Sequence, residues 1–142
     1  MNVSYLDTSL IVAALTHERR TSEVQAWLAK QVPEKLVISD WVATEFSAAL
    51  SMKVRMRQLD VGIRGDVLAA FTRLMRETFT VFPLDRNDFR EAARLADLHR
   101  FGLRAGDALH LAVVANHGER LLSLDKVQVR AAVAAGISAR LF

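Results

Sequence analysis

Short strand-like stretches alternate with helical ones along the whole sequence, and no hairpin signal such as Asn-Gly joins two strands directly. Strands separated by helices are joined by crossovers, so the chain calls for a mostly parallel sheet with helices on both faces. Strands are read at residues 3–6, 36–38, 80–82, 120–124 and 137–142. The expected fold class is therefore α/β, a three-layer α/β/α arrangement around a five-stranded, mostly parallel central sheet. A first helix follows at Leu10, and Ser22 caps a second that Pro33 ends. Ser39 and Asp40 cap a third helix running from Trp41 to about Met56, and Gly62 and Gly65 mark a turn. A fourth helix carries Val67, Leu68, Phe71, Leu74 and Met75 on one face. The remaining helices stop at Gly102, Gly118 and Gly136, natural residues for the position after a helix.

Composition bounds the class. A chain of 142 residues, 51% hydrophobic, can bury a substantial core, and it is expected to form one domain over residues 1–142. No apolar run approaches the ~18 residues of a membrane helix. The N-terminus lacks a basic leader region, Asp7 interrupts the only candidate apolar leader, and there is no cysteine. These features lead to the expectation of a cytoplasmic chain with no membrane partner. Phosphate loops of the G-x-G-x-x-G or Walker A type are absent, and so is a nucleophile elbow.

Four acids stand where acids are unusual. Asp7 closes the first strand and Asp125 the fourth, and strand ends are where parallel α/β sheets bind ligands. Each is equally suited to cap the following helix. Glu45 shares a helix face with Val42, Ala49 and Met52, and Asp107 shares one with Leu111 and Val114. These four can meet only at the carboxyl edge of the sheet. Four carboxylates there repel one another by roughly 3 kcal/mol per pair at ~6 Å and an effective dielectric of ~20. Hard divalent cations such as Mg²⁺ or Mn²⁺, which prefer oxygen ligands, would offset this. Convergent acids with such ions point to phosphodiester chemistry. With the four set aside, nineteen basic residues face twelve acidic ones, a surface balance suited to a polyanion.

The segments Tyr5 to Ser9, Ser39 to Glu45, Gly102 to Ala112 (GLRAGDALHLA) and Leu121 to Asp125 resemble those of PIN-domain ribonucleases, most closely the VapC-type toxins of toxin–antitoxin pairs. The third segment is the most specific, and the four in order span nearly the whole chain. The resemblance implies an acidic quartet of Asp7, Glu45, Asp107 and Asp125 holding one or two Mg²⁺ or Mn²⁺ ions. Supporting hydroxyls would come from Thr8 or Ser9, and from Ser123 where the family often has Thr. It further implies an endoribonuclease leaving 5′-phosphate and 3′-OH ends, a homodimer, and a VapB-type antitoxin whose C-terminal segment blocks the groove. Lys53, Arg55, Arg57, Arg104 and Lys126 are candidate contacts to RNA phosphates. His110 reads as a packed or hydrogen-bonded residue rather than a ligand, and Trp27 and Trp41 as core or interface residues. Two other readings are a receiver-like domain phosphorylated on Asp85, which leaves Glu45 and Asp107 unexplained, and a catalytically silent RNA- or protein-binding module.

Overall fold

A computed structural model describes residues 3–142 of the chain; the first two residues of the expected domain lie outside it. Strands β1 (Ser4–Leu6), β2 (Leu36–Ser39), β3 (Thr80–Phe82), β4 (Arg120–Ser123) and β5 (Ala139–Leu141) form one sheet in the order β3-β2-β1-β4-β5. All neighbours are parallel, and Tyr5 lies opposite both Val37 and Leu121. Helices α1 (Thr8–Leu15) and α2 (Thr21–Leu28) connect β1 to β2, and α3 (Asp40–Arg55) and α4 (Val61–Glu77) connect β2 to β3. Helices α5 (Arg86–Asp97) and α6 (Ala105–His117) lead to β4, and α7 (Lys126–Ala134) leads to β5.

The chain steps outward from β1 to β3, then returns to the other side of β1. With right-handed crossovers, that reversal puts α1–α4 over one face and α5–α7 over the other. The packing agrees: α1 contacts α2, α3 and α4, while α5 lies along α6. The expected five-stranded, three-layer parallel architecture is the one formed. Reversal between β1 and β4 also opens a crevice at their carboxyl ends, the ligand position of such sheets.

Helix α6 is buried without a break from Ala108 to Val114, because the sheet lies against one side and α5 against the other. A helix apolar all round is a buried helix, and His110 is the polar exception in this run. Helix α3 buries Val42, Phe46 and Leu50, with Phe46 stacked on Phe71 of α4 at a centroid distance of 4.3 Å. At the start of α5, Asp85 and Asp88 cap each other's backbone amides, and the buried Asp88 also accepts from Asn116 of α6 at 2.8 Å.

Several local expectations are corrected. Gly62 and Gly65 do not form a turn; both lie inside α4. Asp60 caps that helix, accepting from the Gly62 amide at 2.7 Å, and burial of Val67 and Phe71 outweighs the modest helical penalty of glycine. Ser22 is not a cap: α2 begins at Thr21, whose hydroxyl accepts from the Glu18 amide and donates to the Thr16 carbonyl. Pro33 opens a 3-10 turn (Pro33–Lys35) well after α2 has ended. Ser39 occupies the N-cap position of α3 but makes no cap bond, because its hydroxyl is engaged with Tyr5 at 2.7 Å. Met52, placed by its spacing beside Glu45 on an apolar stripe, is 49% exposed. The buried stripe is Val42–Phe46–Leu50, and Glu45 stands at its border.

Gly65 is exposed and a Cβ there would meet nothing within 4 Å. Gly65→Ala is therefore expected to raise unfolding free energy by about 0.5–1 kcal/mol. Urea denaturation measures this; an unchanged or lowered midpoint would contradict the helical assignment of that residue.

Candidate active site

Asp7 directly follows β1 and is 3% exposed. It caps α1: Oδ1 accepts from the Ser9 amide at 3.1 Å and from the Ser9 hydroxyl. Its Oδ2 accepts from the hydroxyl of Ser123, the last residue of β4. Ser123 Oγ in turn accepts from the Asp125 amide at 2.9 Å, and Ser9 Oγ accepts from the Leu124 amide at 3.1 Å. The two strand-end turns are thus joined side by side across the crevice. Asp125, which is exposed, caps α7 with Oδ1, accepting from Val127 and Gln128 amides at 2.9 and 3.2 Å. Capping and facing the crevice are compatible: each strand-end acid serves its own helix and still lines the cleft.

Glu45 reaches the same place from α3. Its Oε1 accepts from Thr8 Oγ1 at 2.6 Å and from His110 Nε2. Burial pushes the Glu45 carboxyl up, but the hydrogen bond and charge of His110, with the bond from Thr8, outweigh it and hold the group below the usual range. The Trp41 indole lies close by: its buried Nε1 meets no partner at good hydrogen-bond geometry, yet its polar N–H adds a smaller push in the same direction on Glu45. Asp107 enters from the first turn of α6. Its carboxyl is raised, chiefly by burial and then by the negative charge of Asp125, with smaller contributions from Glu45 and Asp7. Asp107 therefore feels all three of the other acids.

All four line one pocket of about 230 Å³, together with Thr8, Ser9 and His110. A wider cavity of about 650 Å³ shares Glu45, Asp107 and Asp125 with it and extends past Trp41 and Arg104. Among the described residues, Asp7, Asp107 and Asp125 have no Lys, Arg or His ion-pair partner, and Glu45 has His110. No three of the described acids and histidines stand gathered about a single point as metal ligands. By donor chemistry the set suits a hard divalent ion: four carboxylates and the hydroxyls of Thr8 and Ser9 face one cavity, with mutual repulsion to relieve.

The candidate phosphate contacts separate into groups. Lys53 is committed elsewhere: its ammonium meets Glu18 at 2.9 Å and its side chain is 12% exposed. Arg104 is exposed and lines the wide cavity beside Asp107. Lys126 is exposed next to Asp125, and Arg55 and Arg57 are exposed at the end of α3. Asp85, the acceptor of the receiver-like reading, is occupied as the cap of α5.

Three residues were not singled out by sequence as parts of this site. Gly106 leaves room for Glu45: a Cβ there would lie 2.7 Å from Oε2 and 3.4 Å from the Trp41 ring. Its position just before Asp107 was the available signal. Trp41, read as a core or interface residue, lines the wide cavity. Gln128 is 2% exposed and lines the acidic pocket, with Nε2 unpartnered. Three residues after Asp125 it reads as a capping-box glutamine, but Ser123 already satisfies the Asp125 amide.

A family model described as "PIN domain" matches residues 4–134. No curated protein matches the chain in sequence. Among solved structures, FitAB bound to an IR36 DNA fragment superposes with a TM-score of 0.75 at 18% identity, covering 97% of this chain and 94% of that one. VapC20 of Mycobacterium tuberculosis, described as a sarcin–ricin-loop-cleaving toxin, gives 0.70 at 17% identity over 94% and 95%. A toxin–antitoxin complex from Klebsiella pneumoniae gives 0.55 at 18% identity over 86% of each chain. At such identities the likeness is one of fold.

Two outcomes follow from this geometry. Gly106→Ala should cut any activity of the site at least tenfold while leaving stability equal or higher, because alanine favours the helix but crowds Glu45. Equal activity in the two proteins would show that the space is not needed. Burial raises the Asp7 carboxyl above its ordinary value. An acid raised in the folded state costs stability once pH exceeds its unfolded value, so in metal-free buffer Asp7→Asn should melt higher than wild type at pH 7. That advantage should vanish below about pH 4, where the acid is neutral in both states. A gap in Tm that does not shrink on acidification would contradict it.

Proposed function

The chain belongs to the PIN-domain family over residues 4–134, and on that basis we propose that it is a divalent-metal-dependent endoribonuclease serving as the toxin of a type II toxin–antitoxin pair. One observation carries the reading: Asp7, Glu45, Asp107 and Asp125, from four separate stretches of chain, line a single pocket at the β1–β4 reversal. These four would hold one or two Mg²⁺ or Mn²⁺ ions. When bound, such ions neutralise the phosphodiester charge and make water a competent nucleophile at neutral pH.

The chain's own residues supply the rest. Ser9 and Ser123 hold both Asp7 oxygens, so this carboxylate is aimed before substrate arrives. Thr8 and His110 hold Glu45 and favour its ionised form. Arg104 at the wide end of the cavity can meet an RNA phosphate, and the exposed Arg55 and Lys126 are further candidates; Lys53 would have to leave Glu18 to do so. A water nucleophile does not need the RNA 2′-OH, so cleavage leaves 5′-phosphate and 3′-OH ends. Strand-end and helical acids are both used in this reading, unlike in the receiver-like alternative.

The partners belong to the same proposal. VapC20 is described as a sarcin–ricin-loop-cleaving toxin, and the Klebsiella structure as a toxin–antitoxin complex. By extension this chain acts as a homodimer, restrained in the cytoplasm by a VapB-type antitoxin whose C-terminal segment covers the acidic groove. Among the described residues, no helix is long and apolar enough to cross a membrane. One domain over residues 1–142 is the unit proposed.

Inducible expression in a bacterial host tests the function. Wild type should arrest growth and produce RNA fragments with 5′-phosphate ends; purified protein should lose cleavage with EDTA and regain it with Mg²⁺ or Mn²⁺. Asp7→Asn should reduce both arrest and cleavage to background while remaining folded by circular dichroism. Undiminished toxicity in Asp7→Asn would sink the mechanism.

A further inference from the structure

Tyr5, Ser39 and His110 form a buried polar chain that ends on Glu45. Ser39 Oγ lies 2.7 Å from Tyr5 Oη, which lies 2.8 Å from His110 Nδ1, while His110 Nε2 contacts Glu45 Oε1. Tyr5 and Ser39 are 0% exposed and His110 is 2% exposed. Their common direction follows from the sheet: Tyr5 is paired with Val37, so Tyr5 and Ser39 project from the face against which α6 packs. A carboxylate only accepts hydrogen bonds, so Nε2 carries the proton shared with Glu45. With the ring neutral, Nδ1 accepts from Tyr5 and Tyr5 from Ser39; with the ring charged, Nδ1 donates to Tyr5 and Tyr5 to Ser39, so the chain keeps the same partners in either state.

Such a chain is favourable only when every member is satisfied. An apolar trio would fill the same space without that demand. What the polar chain adds is direction at its one open end. Both ring nitrogens of His110 are engaged, so the imidazole has a single orientation. Thr8 also donates to Oε1, but its hydroxyl swings about one bond at the half-buried start of α1. With Oε1 taken by these two donors, Oε2 is the remaining oxygen, and it sits in the space that Gly106 leaves free.

We propose that His110, braced by Tyr5 and Ser39, is a positioning residue that fixes which Glu45 oxygen faces the acidic pocket and so sets the affinity of that pocket for a divalent cation. It acts through Glu45 and touches no substrate. Partners of this kind that orient a carboxylate ligand commonly govern metal affinity by ten- to a hundredfold. The role rests on the metal-dependent nuclease reading given above.

The test compares wild type with His110→Leu, His110→Gln and Tyr5→Phe. Leucine removes the donor at similar volume; glutamine keeps a donor for Glu45 and an acceptor for Tyr5. Mn²⁺ binding by calorimetry should weaken about 10–100-fold in His110→Leu, weaken less in Tyr5→Phe, and return most of the way in His110→Gln. Wild-type affinity in His110→Leu would overturn the proposal, as would equal losses in the leucine and glutamine variants. Metal-free crystal structures of the variants supply a readout independent of nuclease activity. Glu45 should turn away from the pocket in His110→Leu and hold its place in His110→Gln. A Glu45 that stays put in His110→Leu overturns the positioning role even if wild type binds no Mn²⁺, whereas absent Mn²⁺ binding in wild type by itself counts against the nuclease reading.

Discussion

The Ser123–Asp7–Ser9 hydrogen bonds are the contact on which the rest of the site depends. They hold an almost fully buried carboxylate at the point where the strand order reverses, and they join the β1–α1 turn to the β4–α7 turn. Ser123 also receives the Asp125 amide, so one hydroxyl sets the spacing of two acids from opposite ends of the chain. Without that link, Asp7 and Asp125 would each be an ordinary helix cap. With it, they become neighbouring walls of one cleft.

The same arrangement places function against stability. Asp7 and Asp107 are both pushed toward their neutral forms, the first mainly by burial, the second by burial and by its acidic neighbours. Glu45 goes the other way because His110 and Thr8 feed it hydrogen bonds. A core built only for stability would use none of these groups. The sheet, the unbroken apolar run of α6 and the Phe46–Phe71 stack supply the stability that lets the cleft hold them. Two buried side-chain groups without a hydrogen-bond partner, the Trp41 indole and the Gln128 amide, lie at this cleft, as expected where a site is maintained at some cost to the fold.

The fold class was readable because the alternation of strands and helices rests on local periodicity, which acts along the chain. The strand order β3-β2-β1-β4-β5 was not, because it depends on pairing between distant segments. Helix boundaries were only partly readable. Gly62 and Gly65 look like a turn by composition, yet one Asp60 cap and two buried side chains suffice to carry the helix through them. Glu45 and Asp107 stood out as acids on apolar faces, although the true stripe of α3 runs through Phe46 and leaves Met52 in solvent. Lys53 looked like a free cation because nothing local announces Glu18, a residue from the α1–α2 connection.

By itself, then, the sequence determined an alternating parallel sheet and four anomalous acids, since strand and helix periods and the cost of misplaced charge are properties of each segment. Only the tertiary structure decided how those acids are held. Which Asp7 oxygen Ser123 takes, why Gly106 must be small, and where the Ser39–Tyr5–His110 chain ends all depend on contacts between segments 34 to 116 residues apart. Hydrogen bonds and excluded volume act over a few ångströms, so partners that far apart in sequence become neighbours only once the sheet has formed.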